Sequence, residues 1–244
     1  MVVDPRHLRA ETKNNMTPER YQRLCETLDR RQPDFTLLTD EVHKPHNLAA
    51  IIRTCDAVGI PEVHCCHPEL RERQLHGRSM GSSRWVDVHH YKSTAEAVQT
   101  LQSKGFQIYA AHFSERARPY HEIDYTVPCG LLMGGEKHGV SPEIAALADE
   151  HVIIPMQGMV KSFNVSVAAA IILMEAQRQR QAAGLYDVSR LPPQCRPDIL
   201  FRWGYPELAR YCDQRGLAYP KLDDDGQLIN PTQWYQTIRS SQYE

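Results

Sequence analysis

Short apolar runs alternate with stretches of helical periodicity through the middle of the chain, and this alternation restricts the possible folds more than any other feature. The apolar runs occupy residues 35–42, 62–67, 85–90, 106–112, 129–134 and 151–155. Segments with apolar residues at helical spacing lie between several of them, at 47–59, 94–105 and 141–150. Strands that alternate with helices predict an α/β fold, a parallel sheet covered by helices on both faces. Ligands of such sheets bind beyond the carboxyl ends of the strands.

The size and charge of the chain exclude some classes of protein. Its 244 residues suffice for one large domain with an appendage, and 41% of them are apolar. The net charge of −2 excludes a protein that is basic throughout, although one basic face is enough to bind a nucleic acid. No apolar stretch of the sequence approaches the roughly 20 residues that cross a bilayer, and the chain opens with a polar segment. We therefore expect no membrane partner.

The cysteines and histidines favour a reducing compartment and no metal. Seven cysteines form no CxxC pair and indicate no disulfide framework, so we expect a cytoplasmic protein. His43 and His46, and likewise His64 and His67, have the HxxH spacing of some zinc sites. That spacing alone is a weak signal, and the second pair encloses two cysteines in a run that also fits a buried strand. We predict that the protein holds no metal.

Two common motifs of nucleotide binding are missing from the sequence. No GxGxxG follows the first predicted strand, and GxxxxGK[ST] does not occur. An ordinary dinucleotide site or a P-loop is therefore not expected.

Asn47 and Arg53 interrupt the apolar pattern of the predicted helix 47–59. Asn47 stands at the start of this helix, and Arg53 lies six residues further on, inside the run AAIIRTCDAVGI. A buried guanidinium needs a partner, so Arg53 either lines a cleft or is paired. A surface ion pair with Asp56, at the i,i+3 spacing of a helix, is the alternative. The spacing does not decide between the two.

Two further stretches place polar groups at strand ends. The strand 129–134 runs into GGEKHG, where two glycines let the backbone approach a ligand and Glu136 can hold a cation or an arginine. A tight loop with a solvated Glu136 is the alternative. The segment PMQGMVKSFNVSVA puts Ser162 and Asn164 just before a long helical pattern. Either side chain can cap that helix, but one cap does not need both. In a parallel sheet these strand ends converge on one edge.

These three stretches resemble the three motifs of the SPOUT RNA methyltransferases, and within that superfamily those of the TrmH group. The segment from Asn47 to Arg53 resembles the first motif, GGEKHG the second and IPMQGMVKSFNVSVA the third. In the tail, LFRWGYPELARYCDQRGLAYP resembles the C-terminal extension of group members that methylate guanosine-18 of tRNA. The resemblance covers residues 17–230.

The resemblance implies a fold and an activity. The fold is a parallel sheet flanked by helices with a deep trefoil knot in its C-terminal half. The SPOUT domain would span residues 35–182, with a helical extension at 1–34 and a C-terminal extension at 183–244. The implied activity is S-adenosylmethionine-dependent 2′-O-ribose methylation of tRNA, at guanosine-18 in the D-loop, by a homodimer whose interface includes the helix that starts at Asn164. Methylation of rRNA and a non-catalytic RNA-binding role are the alternatives.

The resemblance also implies which residues bind the cofactor and which act on the substrate. The cofactor positions are Ala111, Gly134, Ile154, Met156, Met159 and Phe163. Ala111 stands where relatives often have Thr, and Phe163 stands where Leu is usual. Neither departure threatens the chemistry.

Arg53 corresponds to the catalytic arginine of the family. Because arginine stays protonated in proteins, we expect Arg53 to contact the ribose 2′-oxygen and stabilise the alkoxide, and whether it also accepts the proton stays open. Asn47 would orient the substrate or Arg53, and Glu136 would hold Arg53 or a neighbouring loop. Ser162 and Asn164 would fix the loop of the third motif and touch the target nucleotide.

Two segments of the sequence are rich in arginine, as in many RNA-binding proteins. Residues 71–85 carry four Arg against one Glu, and residues 178–202 carry five Arg against two Asp. Solvated surface is the ordinary explanation of such runs. With the family in view, we expect these segments and the N-terminal helix to contact tRNA phosphates.

Overall fold

A computed structural model describes residues 16–66 and 84–240, with side chains given as far as residue 236. Its internal contacts divide the chain into two compact units. For the described residues, one unit is Arg30–Arg190, and the other combines Met1–Asp29 with Leu191–Glu244. None of the helices in the described ranges has the length and apolar character needed to cross a membrane.

A parallel sheet forms the centre of the larger unit. Its strands are β1 (Phe35–Asp40), β2 (Glu62–Cys66), β3 (Asp87–Tyr91), β4 (Gln107–Ala111), β5 (Arg118–Pro119), β6 (Cys129–Gly134) and β7 (Glu150–Ile153). Neighbouring strands pair parallel in the order β3-β2-β1-β6-β4-β7-β5. The predicted parallel sheet is confirmed. The sequence analysis missed β5, because two residues carry no periodicity.

Helices connect the strands and extend the chain beyond the sheet. They are α1 (Pro18–Asp29), α2 (Pro45–Ala57), α3 (Thr94–Ser103), α4 (Pro142–Ala145), α5 (Val165–Ala182), α6 (Arg196–Gly204), α7 (Pro206–Arg215) and α8 (Pro231–Ser240). Short 3₁₀ turns occur at Tyr120–Glu122 and Pro193–Cys195.

Both faces of the sheet are covered, as the sequence pattern predicts. On one face, Leu37 and Leu131 pack in a buried cluster with residues of α2 and α5, such as Ile52 and Ile172. Their direct neighbours along the strands, including Leu38 and Leu132, point to the other face and pack with α3 and α4. Alternate residues of a strand point to opposite faces, so a doubly covered sheet needs continuous apolar strands.

Several of the predicted elements end earlier than expected, and the structure gives the reason for two of them. The strand predicted at 35–42 stops at Asp40, since Glu41 has φ 54°, in the left-handed region that interrupts an extended chain. The helix predicted at 141–150 is α-helical only over Pro142–Ala145. The chain then forms a tighter turn, in which the N–H of Ala148 donates to the carbonyl of Ala145. It then enters β7.

A buried ion cluster closes the amino end of the sheet against the end of α5. Arg180 is 0% exposed, and its guanidinium donates to Asp34 Oδ1 at 2.8 Å and to Gln32 Oε1 at 3.0 Å. Arg190 binds the same Asp34 carboxylate through both oxygens, at 2.8 and 2.9 Å. Burial raises the pKa of Asp34, but the two guanidinium groups more than offset this and hold the pKa below its ordinary value. The cluster ties α5 to the start of β1.

The smaller unit is helical in its described part. The helices α6 and α7 follow each other closely, and Gly216 ends α7 with φ 63°. Asp29 at the end of α1 pairs with Arg196 at the start of α6. The last described element of the chain is the helix α8.

Candidate active site

The side chains of three separate sequence stretches meet in one hydrogen-bonded network at the carboxyl edge of the sheet. Asn47 in the first turn of α2 donates from Nδ2 to Glu136 Oε1 at 2.6 Å. Asn164 donates from its own Nδ2 to Asn47 Oδ1 at 3.2 Å. Asn47 is 2% exposed, so its end of both bonds is shielded from water. The convergence expected of parallel strand ends therefore brings these three predicted site residues into contact.

Glu136 is held in place by more than Asn47. Its carboxylate also accepts hydrogen bonds from the backbone N–H groups of His43 and Lys44, in the loop before α2. Burial by itself raises the pKa of Glu136, yet these bonds more than offset that effect and hold the pKa below its ordinary value. Glu136 is therefore an ionised anchor between the loop after β6 and the start of α2. Glu136 is half-buried, and its carboxylate is bound by Asn47.

Asn164 has two functions in the fold. Its Oδ1 accepts from Ser166 N at 2.9 Å and from Ser166 Oγ at 2.7 Å, so it caps α5 as predicted. Its amide nitrogen remains available for the bond to Asn47. Ser162 is exposed and lines the neighbouring cavity. Asn164 thus caps α5 and also joins the hydrogen-bonded network with Asn47 and Glu136.

A cavity of about 950 Å³, here called the strand-end cavity, lies beside the network. Its volume falls in the range of roughly 300–1,000 Å³ that is usual for ligand sites. Five of the six predicted cofactor positions line it, namely Ala111, Gly134, Ile154, Met156 and Phe163. Glu136, Ser162 and Asn164 line it as well. Met159, the sixth position, is 100% exposed and is not among the lining residues.

Gly134 lets two loops of this cavity approach each other. A Cβ atom at Gly134 would lie 2.0 Å from the backbone carbon of Gly139 and 2.0 Å from the nitrogen of Val140. Real Cβ atoms do not come so close to backbone, so only glycine fits. The backbone of the loop after β6 therefore folds directly back over the end of the strand.

Arg53 lies on the exposed surface of α2 and does not line the strand-end cavity. The Asp56 carboxylate, its predicted alternative partner, is bound by Arg31 NH2 at 2.6 Å. Arg31 is 1% exposed and also donates to the carbonyl groups of Ile60 and Trp85. No local sequence pattern indicates this pair, because Arg31 and Asp56 lie 25 residues apart.

His112 lines the strand-end cavity and was missed by the sequence analysis. It directly follows β4, and its ring packs edge-on against His151 with centroids 5.1 Å apart. Burial, followed by the neighbouring His151, lowers the pKa of His112, so the neutral imidazole is favoured. Its place at the carboxyl end of a predicted strand is the signal that would have identified it.

The structure describes the basic segment 71–85 and the two HxxH pairs only in part. Most of the segment 71–85, and His67 of the second HxxH pair, lie outside the described residues. His64 is 1% exposed, and burial lowers its pKa to about 4. Within the described ranges, no three His, Cys, Asp or Glu side chains are grouped so as to hold a metal ion. All seven cysteines, each within those ranges, are free thiols.

Comparison with known proteins reveals extensive similarity. Residues 34–174 match the SpoU rRNA Methylase family model, and residues 178–231 match the model of the SpoU rRNA methylase C-terminal region. The chain is 48% identical over 228 residues to the tRNA (guanosine(18)-2′-O)-methyltransferase of Escherichia coli K12, covering 93% of this chain and 100% of that protein. It is 51% identical over 187 residues to a Thermus thermophilus protein of the same name, covering 77% and 96% of the two chains.

Solved structures agree with this similarity. The TrmH/SpoU tRNA modifying enzyme of A. aeolicus superposes with a TM-score of 0.73 at 40% identity, over 78% of this chain and 97% of the other. The SpoU methyltransferase AviRb from Streptomyces viridochromogenes, solved in complex with the cofactor AdoMet, gives a TM-score of 0.56 at 28% identity. That match covers 62% of each chain.

Proposed function

The chain belongs to the SpoU rRNA methylase family, and we propose from this membership that it methylates the ribose 2′-hydroxyl of guanosine-18 in tRNA, using S-adenosylmethionine. The observation that carries the proposal is the similarity to the E. coli guanosine-18 enzyme over that protein's whole length. The family model is described by rRNA methylation, but relatives that match most of this chain are named for tRNA. We therefore favour tRNA as the substrate.

The strand-end cavity fits the proposed cofactor. Its walls include the apolar side chains of Ile154, Met156 and Phe163, which suit the two faces of an adenine ring. Ala111 and Gly134 add little side-chain bulk to the wall, and backbone polar groups of the loop 153–164 would bind the cofactor. When bound, S-adenosylmethionine supplies an activated methyl group on a sulfonium centre. Met159 lies outside this cavity, so we assign it no contact within a single chain.

The hydrogen-bonded network positions the groups around the reaction. Asn47, Glu136 and Asn164 fix the three loops relative to one another, and this alignment of donor and acceptor provides most of the rate enhancement we expect. Ser162 lines the strand-end cavity, and we propose that it contacts the target nucleotide. We propose that Arg53 contacts the ribose 2′-oxygen and lowers the free energy of its alkoxide by electrostatic attraction. The proton acceptor is left open, because a guanidinium is a poor base.

We further propose that the C-terminal half of the sheet unit forms a trefoil knot. Two features support this topology. The loop 139–140 contacts the end of β6 so closely that Gly134 admits no side chain. The chain after β7, which lies on the far side of β6 and β4 from β1, returns to place α5 against α2. A segment that crosses back in this way can pass through the loop that precedes it.

A homodimer is part of the proposal, and an exposed apolar surface supports it. Val167 and Met174 are 44% and 53% exposed and lie seven residues apart on one face of α5. Phe113, Val160 and Phe163 near the strand-end cavity are also exposed, at 86%, 63% and 41%. Apolar surface of this kind is typical of a protein interface, and a second copy of the chain is the proposed occupant.

The domain boundaries and the location of the protein belong to the same proposal. The domain would span 35–182 between extensions at 1–34 and 183–244, and the C-terminal family model at 178–231 supports the last boundary. A tRNA substrate and seven free thiols fit a cytoplasmic location.

Labelled S-adenosylmethionine and unmodified tRNA test the proposed function. The chain should transfer methyl groups to tRNA, and mapping should find one 2′-O-methylguanosine in the D-loop. Arg53→Ala should abolish transfer but leave calorimetric binding of S-adenosylmethionine within about twofold. Arg118→Ala, which also removes an exposed arginine, should keep normal activity. Label in another nucleotide, or normal turnover by Arg53→Ala, would contradict the proposed site or mechanism.

A further inference from the structure

A second cleft, here called the lysine cleft, opens beside the strand-end cavity. Its volume is about 820 Å³, and it lies at the carboxyl ends of β1 and β2 and at the start of α3. Residues 135–137 line both the lysine cleft and the strand-end cavity. A group in the lysine cleft is therefore separated from the cofactor cavity only by the loop that carries Glu136.

The lining side chains that reach solvent in the lysine cleft are mainly basic. Lys44, Lys92 and Lys137 are all exposed, and two exposed histidines accompany them. Among the described lining residues, Glu41 is the single exposed carboxylate. The mouth of the cleft therefore carries an excess of positive charge.

The other two carboxylates of the lysine cleft are engaged inside the protein. Asp40 is 8% exposed, and it accepts hydrogen bonds from the Thr94 hydroxyl at 2.6 Å and from the Ser141 N–H at 3.2 Å. Glu136 is bound by Asn47. The exposed charges at the mouth of the cleft are therefore those of the three lysines and Glu41.

The lysine cleft is a built feature of the fold. Its floor joins the end of β1 to the loop after β6, where a Cβ at Gly135 would lie 2.6 Å from the carbonyl oxygen of Glu41. Glu41 itself holds a left-handed conformation, φ 54°, that non-glycine residues adopt at a cost in free energy. Such strain persists where the surrounding structure fixes it, and it is common at binding sites.

Resting on the proposed function, we propose that the lysine cleft binds the single-stranded RNA that flanks the target nucleotide. Lys44, Lys92 and Lys137 bind the phosphates of this flanking strand. The target ribose itself lies across the Glu136 loop, at the strand-end cavity that Ser162 lines. Proteins that select a nucleotide in RNA usually take it from an unstacked loop, and phosphate contacts to the flanking strand hold it in position.

Lys92 gives the sharpest test, because it lines the lysine cleft but not the strand-end cavity. The matched control is Lys104, an exposed lysine that follows the far end of α3, about 15 Å along the helix. The variants Lys92→Ala, Lys92→Arg and Lys104→Ala are compared in the full-length chain. Binding of a fluorescent tRNA transcript is followed by anisotropy over a range of salt concentrations.

Lys92→Ala should weaken tRNA binding by about three- to tenfold and lower the salt slope, d log K/d log[salt], by about 0.7. The KM for tRNA should rise similarly, while kcat and calorimetric affinity for S-adenosylmethionine stay within about twofold of the wild type. Lys92→Arg should restore binding, and Lys104→Ala should leave it unchanged. Wild-type affinity and slope in Lys92→Ala, or an equal loss in Lys104→Ala, would overturn the proposal.

Failure of the subsite can be told apart from failure of the proposed function. A wild-type chain that binds tRNA without methylating it refutes the proposed function, yet the salt slopes still decide whether RNA occupies the lysine cleft. A wild-type chain that does not bind tRNA refutes both.

Discussion

Replacing Asn47 by alanine tests whether the three polar stretches form one structural unit. Asn47 donates to Glu136 at 2.6 Å and accepts from Asn164 at 3.2 Å, and it is 2% exposed. The variant removes both bonds and leaves a carboxylate oxygen and an amide N–H without their partner. We expect a less stable protein whose loops around the strand-end cavity are no longer held together.

The magnitude follows from the type of each bond. A hydrogen bond to an ionised group contributes about 1.5–3 kcal/mol and a neutral one about 0.5–1.5 kcal/mol. Glu136 and Asn164 are partly accessible to water, which can replace some of what is lost. We therefore expect the free energy of unfolding to fall by about 2–3 kcal/mol, near the lower end of the sum.

Urea unfolding at one fixed protein concentration measures this loss. His46→Ala is the control, because His46 is the exposed neighbour of Asn47 in the same helix, and we expect a change within about 0.5 kcal/mol. A deficit in Asn47→Ala no larger than that of His46→Ala at pH 7 would refute the reasoning.

The pH dependence gives a second criterion. The folded pKa of Glu136 lies below its ordinary value, so ionised Glu136 contributes stability above about pH 4.3 and loses it as the pH falls through the folded value. Part of this contribution comes from Asn47. The difference between wild type and Asn47→Ala should therefore narrow as the pH falls below about 4.3. A deficit that is equal at every pH where the protein stays folded would contradict the assigned bond.

Two other predictions concern the cavity and the interface. Gly134→Ala should cost about 3 kcal/mol in thermal unfolding and abolish calorimetric binding of S-adenosylmethionine, since the added Cβ meets backbone of Gly139 at 2.0 Å. Gly158→Ala, where a Cβ meets nothing within 4 Å, should be close to wild type in both measurements, and equal effects would refute the close approach. Met174→Glu should convert the proposed dimer to a monomer in sedimentation velocity, because it places a charge on the exposed face of α5; an unchanged dimer would remove that face from the interface.

Local sequence patterns determined much of the fold. Continuous apolar runs indicated strands buried on both faces, and their alternation with helical segments indicated a parallel sheet, which the structure confirms. The same pattern indicated the edge at which Asn47, Glu136 and Asn164 would meet. The capping role of Asn164 could also be predicted, because a cap depends only on residues within one turn.

Tertiary structure decided which groups bind one another. The bonds that join Asn47 to Glu136 and to Asn164 span 89 and 117 residues, and no local periodicity carries that information. One of the two alternatives paired Asp56 with Arg53 on its own helix, but the Asp56 carboxylate binds Arg31, which the strand order brings to it. The lysine cleft likewise depends on β1, β2 and β6 lying side by side. A sequence pattern reports backbone conformation and the buried face of each element, whereas partners depend on how the elements are ordered in space.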